Sequence, residues 1–301
     1  MIPVFPEFKP IEITDREALE DYLREHPPLV SEFTFTNLFG WRKVHNYRVS
    51  KYKDGFLVLK ESGTELSFLQ PLVTGNPVEA VRDCFKYLEG KTKNPAVERA
   101  GEDFIAAGTW EGSGFSVSED RDNFDYLYDA RELTELAGEK FHDKKNLLNQ
   151  FLKKYRYRYQ NLTPELIPEC LKFKKEWCEE RDCEKIEGLK QENCAVRQML
   201  KNFHALSSKG GIIRMDEKIA ALTLGERLNK DTLVIHVEKA KNGITGLYQA
   251  INWEFLKNQA QGFLFVNREQ DLGVEGLRKA KMSYNPVRLI KKYRITQNYL
   301  A

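Results

Sequence analysis

Apolar side chains recur along this chain in two rhythms, helical and alternating, and the order of those rhythms runs twice. In the first half the spacing predicts a helix over Asp15–Glu25, opened by a Thr14 cap, and a shorter one over Phe35–Lys43 with its aromatics on one side. Alternation then predicts three strands, Tyr47–Tyr52, Gly55–Lys60 and Glu65–Leu69, with Lys53-Asp54 and Ser62-Gly63 as meander turns. After Thr74-Gly75-Asn76-Pro77, the residues Val78, Val81, Phe85 and Leu88 make one apolar stripe on a helix Val78–Leu88. A strand Asp125–Tyr128, a helix Gly138–Tyr155 and the alternating Tyr155–Asn161 close this half.

The second half repeats the plan. Helices are predicted over Pro164–Arg181 and Leu189–Leu206, the latter stopped by Gly210-Gly211. Strands follow at Gly211–Met215, Lys218–Glu226 and Thr232–Lys239, then a helix Leu247–Gln259 after the loop Asn242–Gly246. A strand Phe263–Val266, a helix Val274–Lys281 and a strand Val287–Ile295 complete it. Two domains of similar size are expected, residues 1–161 and 162–301, each a mixed, mainly antiparallel sheet flanked by helices, an α+β class.

Composition narrows this picture. With 41% hydrophobic residues, 18 Phe, 13 Tyr and 4 Trp among 301 residues, the chain can bury two cores, which excludes disorder as its main state. No apolar stretch approaches the roughly 20 residues of a membrane helix, and Met1–Thr14 lacks the pattern of a signal peptide, so a cytoplasmic chain is expected. Five cysteines, Cys84, Cys170, Cys178, Cys183 and Cys194, show no zinc spacing and read as thiols, with no metal expected. The net charge of +2 hides two basic segments: seven basic against two acidic residues over Gly138–Arg158, and seven against none over Arg278–Arg294. Interleaved with Tyr155, Tyr157, Tyr284 and Tyr293, they suit an anionic partner, tRNA or an acidic lipid surface, although a solvated helix face gives the same pattern.

Candidate chemistry concentrates in the second half. His236 and Glu238 share one face of a strand near its end, as a solvated strand face would also place them. The strand runs into Lys241–Gly246, where Gly243 and Gly246 let the backbone approach a phosphate at a helix start; an ordinary turn glycine pair explains the same residues. Asn267, Arg268, Glu269 and Asp271 follow a short strand, where open α/β sheets bind ligands, while Asp271 also fits a helix cap.

Two segments carry a resemblance. Tyr126–Asn146, continuing to Asn149 and including Asp129, Leu133, Leu136, Gly138, Lys140 and Asn146, and Asn267–Pro286 resemble the two signatures of an uncharacterised bacterial family related to the C-terminal domain of phosphatidylglycerol lysyltransferases. Lys144-Lys145 stands where relatives often carry an Arg before the Asn. The resemblance implies a tandem GNAT fold similar to the Fem-type ligases, which take an aminoacyl group from aminoacyl-tRNA. It implies an acyltransferase with no tightly bound cofactor, using aminoacyl-tRNA or acyl-CoA as donor. On that footing Glu238, with His236 and Asp271, is expected at the catalytic centre. Gly243, Thr245, Gly246, Tyr248 and Asn252 would hold the donor, and Asn267, Arg268, Glu269, Arg278, Lys281 and Tyr284 would line the pocket. Lys140, His142, Lys145, Asn146 and Asn149 would meet the anionic partner. A non-catalytic module binding RNA or protein, and an N-acetyltransferase using acetyl-CoA, are the alternatives. In the first half Pro77 removes an amide from the loop matching Lys241–Gly246, so that half is expected to be structural or acceptor-facing.

Overall fold

The computed structural model describes residues 1–206 and 208–298. In chain order the first elements are β1 (Lys9–Pro10), α1 (Arg16–Glu25), α2 (Phe35–Trp41), β2 (Arg48–Tyr52), β3 (Gly55–Ser62), β4 (Glu65–Leu69), α3 (Pro77–Leu88), β5 (Val97–Gly101), α4 (Glu102–Ala106) and β6 (Phe115–Glu119). Next come β7 (Asp125–Asp129), α5 (Ala130–Glu135), α6 (His142–Lys154), β8 (Arg158–Asn161), α7 (Ile167–Glu179), α8 (Glu187–Lys201) and α9 (Phe203–Leu206). The chain ends with β9 (Lys209–Met215), β10 (Lys218–Arg227), β11 (Thr232–Ala240), α10 (Leu247–Gln259), β12 (Phe265–Asn267), α11 (Glu275–Met282), β13 (Arg288–Ile290) and β14 (Lys292–Gln297).

Two compact units result, one of Met1–Asp125 with the chain from Ile290 onward, the other of Tyr126–Leu289. The expected junction at Asn161 is therefore corrected: β7, α5, α6 and β8 belong to the second unit, and the expected strand Val287–Ile295 breaks into β13 and β14, which join different sheets. Alternation says which residues face a core but not which distant strand supplies the pairing edge.

In the first unit the sheet order is β1-β2-β3-β4-β5-β14-β6. The β2-β3-β4 meander is antiparallel, and β4 meets β5 in parallel. On α3, Val81, Phe85 and Leu88 pack with Leu57, Leu59 and Phe68 of the sheet. Asn76 caps that helix by accepting from the Val78 amide at 3.0 Å, and Pro77 occupies its first turn, where a missing N–H costs nothing. Asp15, not Thr14, precedes α1, and its carboxylate accepts from the Glu12 amide at 2.8 Å. The fully buried Lys292 of β14 donates to Glu32 at 2.5 Å and Asp125 at 2.7 Å, and Asp125 also accepts from the Ser31 amide at 2.7 Å and hydroxyl at 2.9 Å. Burial pushes the Glu32 carboxyl above its ordinary range despite the Lys292 charge beside it.

The second unit has the order β13-β7-β12-β11-β10-β9-β8. Strands β8 to β11 are antiparallel neighbours, β12 runs parallel to β11, and β7 antiparallel to β12. Leu148 and Phe151 of α6 pack with Leu247, Ile251 and Phe255 of α10 on this sheet. On the opposite side α7 reaches β11, where the Trp177 indole donates to the Ala240 carbonyl at 2.9 Å. Cys178 and Cys183 at the end of α7 form a disulfide, with Cα atoms 5.1 Å apart, which corrects the expectation of thiols for these two. Each unit is a mixed, mainly antiparallel sheet flanked by helices, as expected.

Candidate active site

The pairing of β11 creates the site. Its partner β12 stays in register only at Thr232–Val234 against Phe265–Asn267, so β11 continues from Ile235 without β12 beside it. Along the other edge β10 follows β11 throughout, with a bulge between Leu224 and Gly225. A Cβ on Gly225 would lie 2.4 Å from the Val234 carbonyl oxygen, so only glycine permits this approach. Side chains fill the gap that opens between β11 and the loop after β12.

His236 and Glu238 both point into that gap. The His236 side chain is 1% exposed and sits between two carboxylates, Nδ1 2.7 Å from Glu269 and Nε2 2.9 Å from Glu226. Burial alone would lower its pKa, but the hydrogen bonds and charges of Glu226 and Glu269 outweigh it and raise the imidazole to about 10. At neutral pH His236 is a cation and not a proton acceptor, which corrects its expected role as a base.

Glu238 accepts from Asn252 Nδ2 at 2.9 Å and from Arg268 Nη2 at 2.5 Å. The Arg268 guanidinium lies 4.7 Å from the Tyr284 ring centre and 5.7 Å from that of Tyr128, and its buried Nε and Nη1 have no hydrogen-bond partner among the described residues. Thr223 pairs with Glu238 across β10 and β11, and its buried hydroxyl has no hydrogen-bond partner among the described residues. Two polar groups thus remain available beside a held carboxylate.

The loop after β12 is fixed from several sides. Asn267 accepts from the Glu269 amide at 2.8 Å, and Glu269 takes a left-handed conformation with φ of 56°. Lys281 Nζ donates to the carbonyls of Arg268, Glu269 and Gln270 at 2.5, 3.0 and 2.6 Å. Asp271, fully buried, accepts from the Tyr126 hydroxyl at 2.5 Å, from Arg278 at 2.9 and 3.0 Å, and from the Gly273 amide at 2.8 Å. Although burial opposes it, these donors hold its carboxyl well below the ordinary carboxylate range. Asp271, Arg278 and Lys281 therefore anchor the loop that carries Arg268 and Glu269, rather than facing a substrate as expected.

The expected donor loop is placed differently. Gly246 has φ of 80°, and a Cβ there would meet the Leu147 carbonyl oxygen at 2.1 Å, so helix packing accounts for this glycine. Gly246→Ala should cost at least about 2 kcal/mol in a urea unfolding series, because both the conformation and the contact forbid a methyl group. Gly243, also at positive φ, and Thr245 are exposed, Tyr248 is at the surface, and of the donor set only Asn252 reaches Glu238. On α6, His142, Lys145, Asn146 and Asn149 lie on the exposed face, with Asn146 Nδ2 2.8 Å from His142 Nε2, and Lys140 just before the helix pairs with Glu132 at 2.6 Å. In the second basic segment most charges are committed, Lys291 to Glu119 and Arg294 to Glu98 besides Arg278, Lys281 and Lys292. Sequence reading missed Glu226, Thr223, Tyr126 and Tyr128; only the tyrosines carry a signal, lying inside the first signature.

This geometry sits in a chain whose residues 24–296 match the profile of the phosphatidylglycerol lysyltransferase C-terminal family. The chain belongs to this family. A conserved protein of unknown function from Bacteroides thetaiotaomicron is 33% identical, with a TM-score of 0.90 over 99% of this chain and 100% of the other. The L-PGS of Bacillus licheniformis is 16% identical, with a TM-score of 0.66 over 100% of this chain and 95% of the other. FemX is 11% identical with a TM-score of 0.60 over 96% of each chain; these two similarities show the fold. An uncharacterised protein of Mycoplasmoides gallisepticum is 25% identical over 170 residues, 56% of this chain. The match spans about half, 54%, of that curated relative's length. Among the described residues no helix is long and apolar enough to cross a membrane.

Proposed function

We propose that this protein transfers an aminoacyl group from aminoacyl-tRNA to an amine or hydroxyl acceptor, at the gap where β11 parts from β12. The observation that carries the proposal is a carboxylate held in that gap: Glu238, positioned by Asn252 and Arg268, inside a lysyltransferase-family chain. In this reaction the acceptor nitrogen or oxygen attacks the aminoacyl ester carbonyl and a new amide or ester bond forms. The bond to the ribose oxygen breaks, and that oxygen leaves with a proton. Glu238 anchors the incoming nucleophile and takes its proton, while the free edge of Arg268 stabilises the oxyanion that develops. His236, held as a cation, keeps Glu226 and Glu269 in place and so positions the Arg268 loop.

Family membership and the FemX-like fold support an aminoacyl donor over acyl-CoA. The donor choice can be tested by melting the protein with each ligand class. A non-hydrolysable aminoacyl-adenosine analogue should raise the melting temperature saturably, and coenzyme A should leave it unchanged. The opposite pattern would make the protein a coenzyme A-dependent acyltransferase. Stabilisation by polyanions alone, lost with added salt, would favour a non-catalytic nucleic-acid-binding module.

A further inference from the structure

The end of α7 is closed into a small covalent ring that grips the strand carrying Glu238. Beyond Val234, β11 has no β12 beside it, while β10 continues along its other edge as far as Ala240. That final stretch is also held from the opposite face of the sheet, by α7. The Trp177 indole donates to the Ala240 carbonyl at 2.9 Å, and the Lys239 ammonium lies 4.0 Å from the Trp177 ring centre. Arg181 covers the same indole at 4.4 Å and donates to the side-chain carbonyl of Asn242, in the loop after β11. Trp177 directly precedes Cys178, and Arg181 lies inside the ring that the Cys178–Cys183 disulfide closes.

Three features make this ring sensitive to redox state. Asp182, within it, holds a left-handed φ of 51°, disfavoured for a residue other than glycine, so the covalent link keeps the turn in a conformation that it would otherwise leave. The turn lies at the surface: Glu179, Glu180, Asp182 and residues 184–188 are exposed, and the two buried cysteines come within reach of a thiol when it opens locally. Burial pushes the Cys170 thiol up to about 12 and the Cys84 thiol well above its ordinary value, so neither supplies a thiolate that would reshuffle the bond. We propose that Cys178 and Cys183 form a redox-operated clamp: closed, it holds Trp177 and Arg181 against residues 239–242; open, it releases them and loosens the strand end beside Glu238. Closing removes one hydrogen from each thiol, and the two protons and two electrons pass to a small-molecule disulfide, which becomes two thiols; a dithiol reverses the step.

For the site this is regulation. Glu238 stands two residues before Ala240 on the same strand, so a strand end that shifts moves the carboxylate relative to Asn252 and Arg268, and small misplacements of a reacting group slow transfer sharply. That consequence rests on the function proposed above, while the clamp itself does not.

The test uses the whole protein, oxidised with a small-molecule disulfide or reduced with dithiothreitol, with alkylation and peptide mapping reporting the state of Cys178 and Cys183. Reduction should lower the melting temperature by about 5 °C. Amides of residues 239–246 should then exchange with deuterium at least about 10-fold faster, while those of residues 55–69 in the first unit stay unchanged. Arg181→Met, with the disulfide intact, should give the faster exchange of residues 241–246 without reduction. Cys178→Ser combined with Cys183→Ser should exchange as the reduced protein does and ignore dithiothreitol, and Cys194→Ser should respond as wild type. Equal exchange in the two redox states, a response that survives the double serine variant, or free thiols at both positions after oxidation would overturn the proposal. Should the double variant fail to fold, the comparison of the two wild-type states decides alone. Aminoacyl transfer should be about 10-fold slower in the reduced form. Transfer absent from both forms, with the exchange difference intact, would refute the function and leave the clamp standing.

Discussion

His236→Gln should destabilise the protein by about 3 kcal/mol at pH 7, read as a lower urea midpoint with an unchanged slope. The size follows from what stays behind: Glu226 and Glu269 are 12% and 15% exposed, and the cation between them is gone. The pH dependence separates this from simple loss of packing. The folded imidazole is raised to about 10. In the unfolded chain it titrates near 6.5. Its contribution is therefore complete below about pH 6.5 and is lost as pH rises through about 10, by about 1.4 kcal/mol per unit in that window. The gap between wild type and variant should narrow as pH rises above 7 and be closed by about pH 9. A constant gap would mean that His236 is held as a neutral ring.

An effect of similar size is expected in the first unit. Lys292→Met should cost about 3–5 kcal/mol, because it leaves Glu32 and Asp125 buried with their ammonium removed. Asp125 keeps its two bonds from Ser31 while Glu32 keeps one ion pair, with Arg99 at 3.2 Å, so the larger share of the loss should come from Glu32. Adding Glu32→Gln to Lys292→Met should then recover a substantial part of the stability, a non-additivity that a double-mutant cycle measures directly. Purely additive losses would show that the three side chains do not act as one group.

That group also shows where the sequence was legible and where it was not. Local signals carried far: the Gly55–Ser62 and Glu65–Leu69 strands begin where alternation and turn residues placed them, and α10 has the predicted bounds Leu247–Gln259. Residues 97–119, by contrast, hold β5, α4 and β6 without any periodic run to announce them. The exchange of terminal strands was hidden for a different reason. It brings Lys292 to Asp125 from 167 positions away, and neither residue's local pattern names the other.

The site was legible in the same uneven way. Strand phase correctly put His236 and Glu238 on one face, and the signature after β12 brought in Arg268 and Glu269. Which charges would be spent on each other could not be read. Lys281 looks like a phosphate ligand in sequence, yet its ammonium donates to three loop carbonyls. Gly246 looks like part of an anion cradle, yet its missing Cβ serves the contact with Leu147. His236 looks like a base, and only the two glutamates around it, 10 and 33 residues away, make it a cation.

The central claim is that Glu238 serves aminoacyl transfer, and one measurement addresses it most directly. Aminoacyl-tRNA carrying a labelled amino acid is mixed with excess enzyme and an extract of amine- and hydroxyl-bearing acceptors, and single-turnover loss of label from the tRNA is followed for wild type and Glu238→Gln. The variant keeps the side-chain shape and an oxygen for Asn252. The account predicts enzyme-dependent transfer by the wild type and a rate at least about 100-fold lower in the folded variant. Equal rates in the two proteins, or release of label no faster than in buffer with either, would contradict it.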